Sequence, residues 1–158
     1  MSMSLSLSSV SPKLREAAVG NALKRLALRA SGQIGVASLD KSWHGLHWLI
    51  ARTSGEALLP LGFLLSGGEE FGEDWGYGPP RWLEPEVVAQ IATALSGLSD
   101  EEAASRYDGP AMTRAGLYGG HWDAVEEERQ YLIHYLQILR TFMQRAADGG
   151  RGVVVLLS

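Results

Sequence analysis

Met1-Ser2-Met3-Ser4-Leu5-Ser6-Leu7 opens the chain and Val153-Val154-Val155-Leu156-Leu157 closes it. In the first, apolar residues alternate with serine, the period of a strand with one face buried and the other turned outward. The second is an unbroken apolar run, which reads as a strand buried on both faces. Neither strand can satisfy its backbone groups alone, so the two are expected to pair in a small sheet. Between them lie several segments with helical periodicity, and the expectation is an α+β single domain over residues 1–158.

Working inward, Ser11-Pro12 suits a helix start, since serine accepts at the N-cap and proline is tolerated in the first turn. A stripe of Leu23, Leu26, Ala27 and Ala30 continues in helical spacing until Ser31-Gly32. Asp40 is read as the N-cap of a helix from Lys41 to about Arg52, with Trp43, Leu46, His47 and Ile50 on its inner face. Residues 57–65 are apolar around Pro60 and receive no assignment. Pro85 opens a further helix, with Val87, Val88, Ile91, Ala94 and Leu95 inward. Ser99 and Glu102 have the spacing of a capping box for a short helix ending near Tyr107. A loop through Pro110, Gly116, Gly119 and Gly120 then leads to the longest helix, about Asp123 to Ala147, with Leu132, Tyr135, Leu136, Leu139, Phe142, Met143 and Ala146 as its stripe. Its acids lie near the N-terminus and Arg140 and Arg145 near the C-terminus, which suits the helix dipole.

Composition removes several function classes. The chain has 158 residues, no cysteine and a net charge of −4. The absence of thiols rules out a cysteine nucleophile, a disulfide framework and any thiolate metal site. The acidic balance argues against a nucleic-acid partner held by a globally basic surface. No apolar run approaches the ~18 residues of a membrane span, and the N-terminal segment does not read as a signal peptide, so a cytoplasmic location is expected. The charge is uneven: residues 1–52 hold seven basic and two acidic residues, and residues 53–158 hold seven basic and sixteen acidic. Such halves attract one another within one domain, or they steer a charged partner.

The stretch Asp40-Lys41-Ser42-Trp43-His44-Gly45-Leu46-His47 resembles the signature helix of the YfbM-like bacterial family, a domain of unknown function. The Met-x-Met strand before a Ser-Pro helix start is similar too. So are Gly67-Gly68 followed by Gly76-Tyr77-Gly78-Pro79, the Pro85-Glu86-Val87 helix start, and Tyr118 and Trp122 before a long helix. The resemblance spans nearly the whole chain and implies an α+β single domain. It supplies no reaction. In one place the chain departs from the pattern: Gly119-Gly120-His121 stands where a proline is expected after the tyrosine.

Candidate chemistry centres on three segments. His44 and His47, three apart on a helix, can converge on one face. With His121 or an acid from Glu69 to Asp74 they would make an open metal site, but HxxH alone is a weak signal. The competing reading of His47 is a core histidine satisfied by a backbone or carboxylate partner. No metal and no cofactor is assigned. Between Gly67 and Gly78 glycines, acids and aromatics combine, including Glu69, Asp74, Trp75 and Tyr77. This composition suits a cationic or hydroxyl-rich ligand and repels phosphate. Arg81 either pairs with a ligand anion or, the favoured reading, forms one half of a structural ion pair with Asp40 or Asp74. Tyr131, His134 and Gln137 flank the long helix's stripe and either reach a partner or cap the core edge.

The reading is therefore a binding module without assigned enzymatic activity. It would recognise a small molecule or protein partner through an aromatic and acidic surface made of Asp40, Trp43, His44, His47, Glu69, Asp74, Trp75, Tyr77, Arg81, Tyr118, His121 and Trp122. No nucleic acid, no membrane and no particular oligomeric state is implied. The alternative is a small hydrolase or lyase built on histidine and carboxylate, with or without the assistance of a metal. That alternative requires His44, His47 and a loop acid to meet in a concave pocket, and it fails if His47 is wholly buried and the acids face solvent.

Overall fold

The computed structural model describes residues 2–13, 15, 35–74 and 76–158. The expected helical stripe over residues 23–30 and the aromatic Trp75 lie outside them. Where the first helix was expected to start, the Ser11 carbonyl accepts the Arg15 N–H at 3.0 Å, one helical turn.

The terminal strands pair as expected. Strand β1 (Leu5–Val10) runs antiparallel to β5 (Gly152–Leu157), with Leu5 opposite Leu157 and Val10 opposite Gly152. They form the centre of a five-stranded antiparallel sheet of order β2-β1-β5-β4-β3, where β2 is Gly35–Asp40, β3 Glu69–Glu70 and β4 Arg81–Leu83. Alternation carries Leu5 and Leu7 of β1 and Val153 and Val155 of β5 to one face, where all four are buried.

Helix α1 is Trp43–Ala51, α2 Pro85–Ser96, α3 Asp100–Ser105, α4 Gly109–Arg114 and α5 Val125–Asp148. α2 and α5 pack on each other and on β5, and α5 also covers β2. The expected stripe of α5 is the face that packs: Leu132, Leu136, Leu139, Met143 and Ala146 are buried, with Tyr135 and Phe142 half-buried beside them. α2 turns Val88, Ile91, Ala92 and Leu95 inward, while Val87 and Ala94 sit half-buried at the margin. Among the described residues no helix is long and apolar enough to cross a membrane.

Three expectations need correction. Asp40 is not a helix cap. It ends β2 at a register irregularity, where Leu5 pairs with Asp40 but Ser6 with Ser38, and its φ of 48° is left-handed. The helix starts two residues later, because the Ser42 N–H and Oγ both turn back onto the Leu39 carbonyl and form the turn that ends β2. Residues 109–114, expected as loop, are a short helix: the Asp108 side chain accepts from the Ala111 N–H and Pro110 occupies the first turn, where it needs no donor. Only one arm of the capping box forms. Ser99 Oγ accepts the Glu102 N–H at 3.0 Å, while the Glu102 carboxylate bonds Arg106.

Candidate functional site

The signature helix α1 is buried on nearly every side, with Trp43, Gly45, Leu46, His47, Leu49 and Ile50 all inside. Its two histidines act as a clamp. His44 Nε2 lies 2.9 Å from the Ser54 carbonyl and His47 Nε2 2.6 Å from the Gly55 carbonyl, so both rings donate to the loop that follows the helix. His44 Nδ1 accepts the Tyr118 N–H at 3.0 Å, leaving neither ring nitrogen free. His47 is wholly buried, and its Nδ1 has no partner. Burial disfavours the charged ring and lowers its pKa below the usual 6.5, an effect that outweighs the Gly55 hydrogen bond.

Around this helix the aromatic residues staple distant segments together. Trp43 stacks on His44 at 5.0 Å and on Tyr118 at 5.7 Å, and its Nε1 donates to the Met3 carbonyl. The Tyr118 hydroxyl accepts the Met3 N–H at 2.8 Å. Trp122 is a core residue: it fills a slot that exists because residue 45 is glycine, where an added Cβ would stand 2.9 Å from the indole and 2.7 Å from Leu132. Gly119, with φ 96°, brings the same loop against the Lys41 carbonyl. His121 is exposed, and its N–H bonds Glu128. Trp43, His44, Tyr118 and Trp122 thus do meet, as a packed junction.

The acidic segment lies elsewhere. It joins β3 to β4 at one edge of the sheet, whereas β2, leading to α1, forms the other. Glu69 pairs with Arg15 at 2.9 Å, and Asp74 Oδ1 accepts the Gly76 and Gly78 N–H groups to shape its own loop. Tyr77, Glu70, Glu73 and Asp74 are exposed. Arg81 forms no ion pair with Asp40 or Asp74; its guanidinium instead caps three carbonyls, those of Gly67, Phe63 and Leu64, at 2.7–3.0 Å. The wholly buried His47 and the exposed loop acids do not converge, so the stated condition for a histidine–carboxylate hydrolase is not met. Among the described residues no group of three histidine, aspartate or glutamate side chains could hold a metal.

A concavity opens on a different surface, between β2 and the outer flank of α5. On the inner face of the sheet, β1 and β5 supply Leu5, Leu7, Val153 and Val155, but toward one end β1 offers Ser9 and the edge strand β2 offers Gly35 and Ala37, ahead of the buried Leu39. These small residues leave Ile138 and Phe142 of α5 partly uncovered, and a groove of about 430 Å³ remains, lined in part by Arg145. Among the described residues no carboxylate lines it. Beyond it, at the end of β2, Asp40 accepts the Tyr131 hydroxyl at 3.0 Å, and Tyr131 meets Tyr135 edge to face at 4.9 Å. Burial raises the Tyr131 pKa above its usual 10, and the Asp40 carboxylate adds to the effect.

Comparison with known proteins settles the kinship. A sequence profile described as "Domain of unknown function (DUF1877)" matches residues 1–156. The chain belongs to this family. No curated protein matches it. Its fold is similar to that of YfbM from Escherichia coli, a protein of unknown function, with a TM-score of 0.73 at 13% identity over 98% of this chain and 99% of that one. Family membership agrees with the resemblance carried by the Asp40–His47 helix, and it brings no activity with it. The groove residues Gly35, Ala37, Ile138, Phe142 and Arg145 were not singled out from sequence. The signal available was Gly35-x-Ala37 on two of the three inward positions of Gly35–Asp40, ahead of Leu39, where a covered strand carries large residues throughout.

Proposed function

We propose that this protein is a binding module whose partner occupies the groove between β2 and α5. The observation behind this reading is the gap itself: where the rest of the inner sheet face is sealed by large side chains, Gly35 and Ala37 leave Ile138 and Phe142 partly uncovered beside an arginine. Apolar walls with one convergent charge are how recognition surfaces are commonly built. The junction of Trp43, His44, Tyr118 and Trp122 is assigned a supporting role, since its polar atoms are largely spent on internal hydrogen bonds.

A photo-crosslinking amino acid placed at the exposed Thr141, on the groove wall, tests this in cells. A defined adduct that disappears when Ile138→Glu is added supports the reading. No adduct, or adducts indifferent to I138E, overturns it.

A further inference from the structure

We propose that the occupant of this groove is an extended peptide segment that joins the sheet along β2 as a sixth strand, with large apolar side chains at alternate positions filling the groove and an acidic side chain on Arg145. The inference rests on the binding reading above and specifies its partner.

Strand addition follows from the position of β2. It is the edge strand of the sheet, paired on one side only with β1 among the described residues, and an edge strand presents alternate N–H and C=O groups ready for another chain. A strand laid along that edge continues the pleat, so every second side chain points to the same face as Gly35 and Ala37, toward Ile138 and Phe142. A cavity of about 150 Å³ accepts a benzene-sized group. The observed volume of about 430 Å³ therefore takes two or three large apolar side chains, about as many as a strand matching the six residues of β2 presents inward. Val36, 48% exposed on the opposite face, would lie beside the outward-pointing side chains of the added strand.

Charge and size narrow the occupant. Among the described residues no carboxylate lines the groove, and the Arg145 guanidinium makes no hydrogen bond or ion pair with any of them. An acidic side chain in the partner would meet a cation with no competing partner among the described residues. A second copy of this chain, pairing β2 to β2, does not fit, because beside Leu39, which is already buried in its own core, it would offer the groove only Gly35 and Ala37 and leave most of the volume empty.

Panning a displayed library of random heptapeptides against the intact protein tests the proposal, with titration of the enriched peptides and backbone hydrogen exchange of their complexes. Enriched sequences should alternate large apolar residues and carry an acid. Their affinity should fall about tenfold with Arg145→Glu and with I138E, and alternate amides of residues 35–39 should exchange more slowly in the complex. R145E alters an exposed side chain, so this arm does not depend on a core variant folding. Peptides that bind in an I138E-sensitive way without slowing β2 exchange, or without needing an acid, overturn strand addition while leaving the groove reading standing. Failure of any peptide to enrich, or binding unaffected by both variants, overturns strand addition; the cellular crosslink then decides the groove reading separately. A β2-protected dimer in light scattering replaces the peptide with a second copy and overturns it as well.

Discussion

His47 shows how one buried side chain can make stability depend on pH. Its ring is kept neutral by burial, so its pKa in the folded state lies below the 6.5 of an exposed histidine. Between those two values the unfolded chain binds a proton that the folded one does not, and stability falls as pH falls. The loss begins below about pH 6.5 with a slope that can approach about 1.4 kcal/mol per pH unit. Denaturant midpoints measured from pH 8 to pH 5 should drop more for the wild type than for His47→Gln, which can still donate to the Gly55 carbonyl; equal drops would refute the account. Gly45 is the second sensitive residue. Gly45→Ala forces a methyl into the space of Trp122 and Leu132 and should cost about 1–3 kcal/mol in denaturant unfolding. Such residues were visible in the sequence by type and spacing, and the place of His47 on an inner stripe was legible. What was not legible was the partner: a carbonyl eight residues on takes up Nε2 where a carboxylate could equally have stood, and residue type alone does not choose among them.

At the scale of elements, local rules placed most helices because their signals are short-range. Pro85, Ser99 and the stripe from Leu132 to Ala146 each act within a few residues, and the observed α2, α3 and α5 follow them. Removing the Ser99 cap by Ser99→Ala should lower stability by about 1 kcal/mol. A larger loss is expected at Arg81, which holds the turns over residues 62–67 against β4 through three carbonyls. Arg81→Met leaves acceptors unpaired and should cost about 1–3 kcal/mol, with proteolysis accelerating first in that segment. A variant that melts at the wild-type temperature would show that solvent replaces the guanidinium. The helix over residues 109–114 was missed although its signals, Asp108 and Pro110, are local. Gly35–Asp40 went unassigned for another reason: Leu39 is its one large inward residue, and Asp40 looks like a cap when read alone, so the strand became apparent only from its pairing with β1.

On the scale of the whole molecule, β5 is the keystone, because it is hydrogen-bonded to both β1 and β4 and supports α2 and α5. Truncation before Gly152 removes the central partner of the sheet along with Val153 and Val155 from the core. The truncated chain should lose cooperative thermal unfolding, as followed by circular dichroism, while residual helix signal persists from the capped segments. The sequence by itself determined the α+β class and the apolar faces of the long helices, since these follow from periodicity and caps that operate within a few residues; its motifs carried the family resemblance, and the need of two terminal strands for partners carried the pairing of the ends. Only the tertiary structure decided that the histidines of α1 clamp a loop, that the acidic loop and α1 occupy opposite edges of the sheet, and that a groove opens beside β2. Strand order and the mismatch between small and large residues across two layers depend on contacts between segments about a hundred residues apart, and no local pattern encodes them.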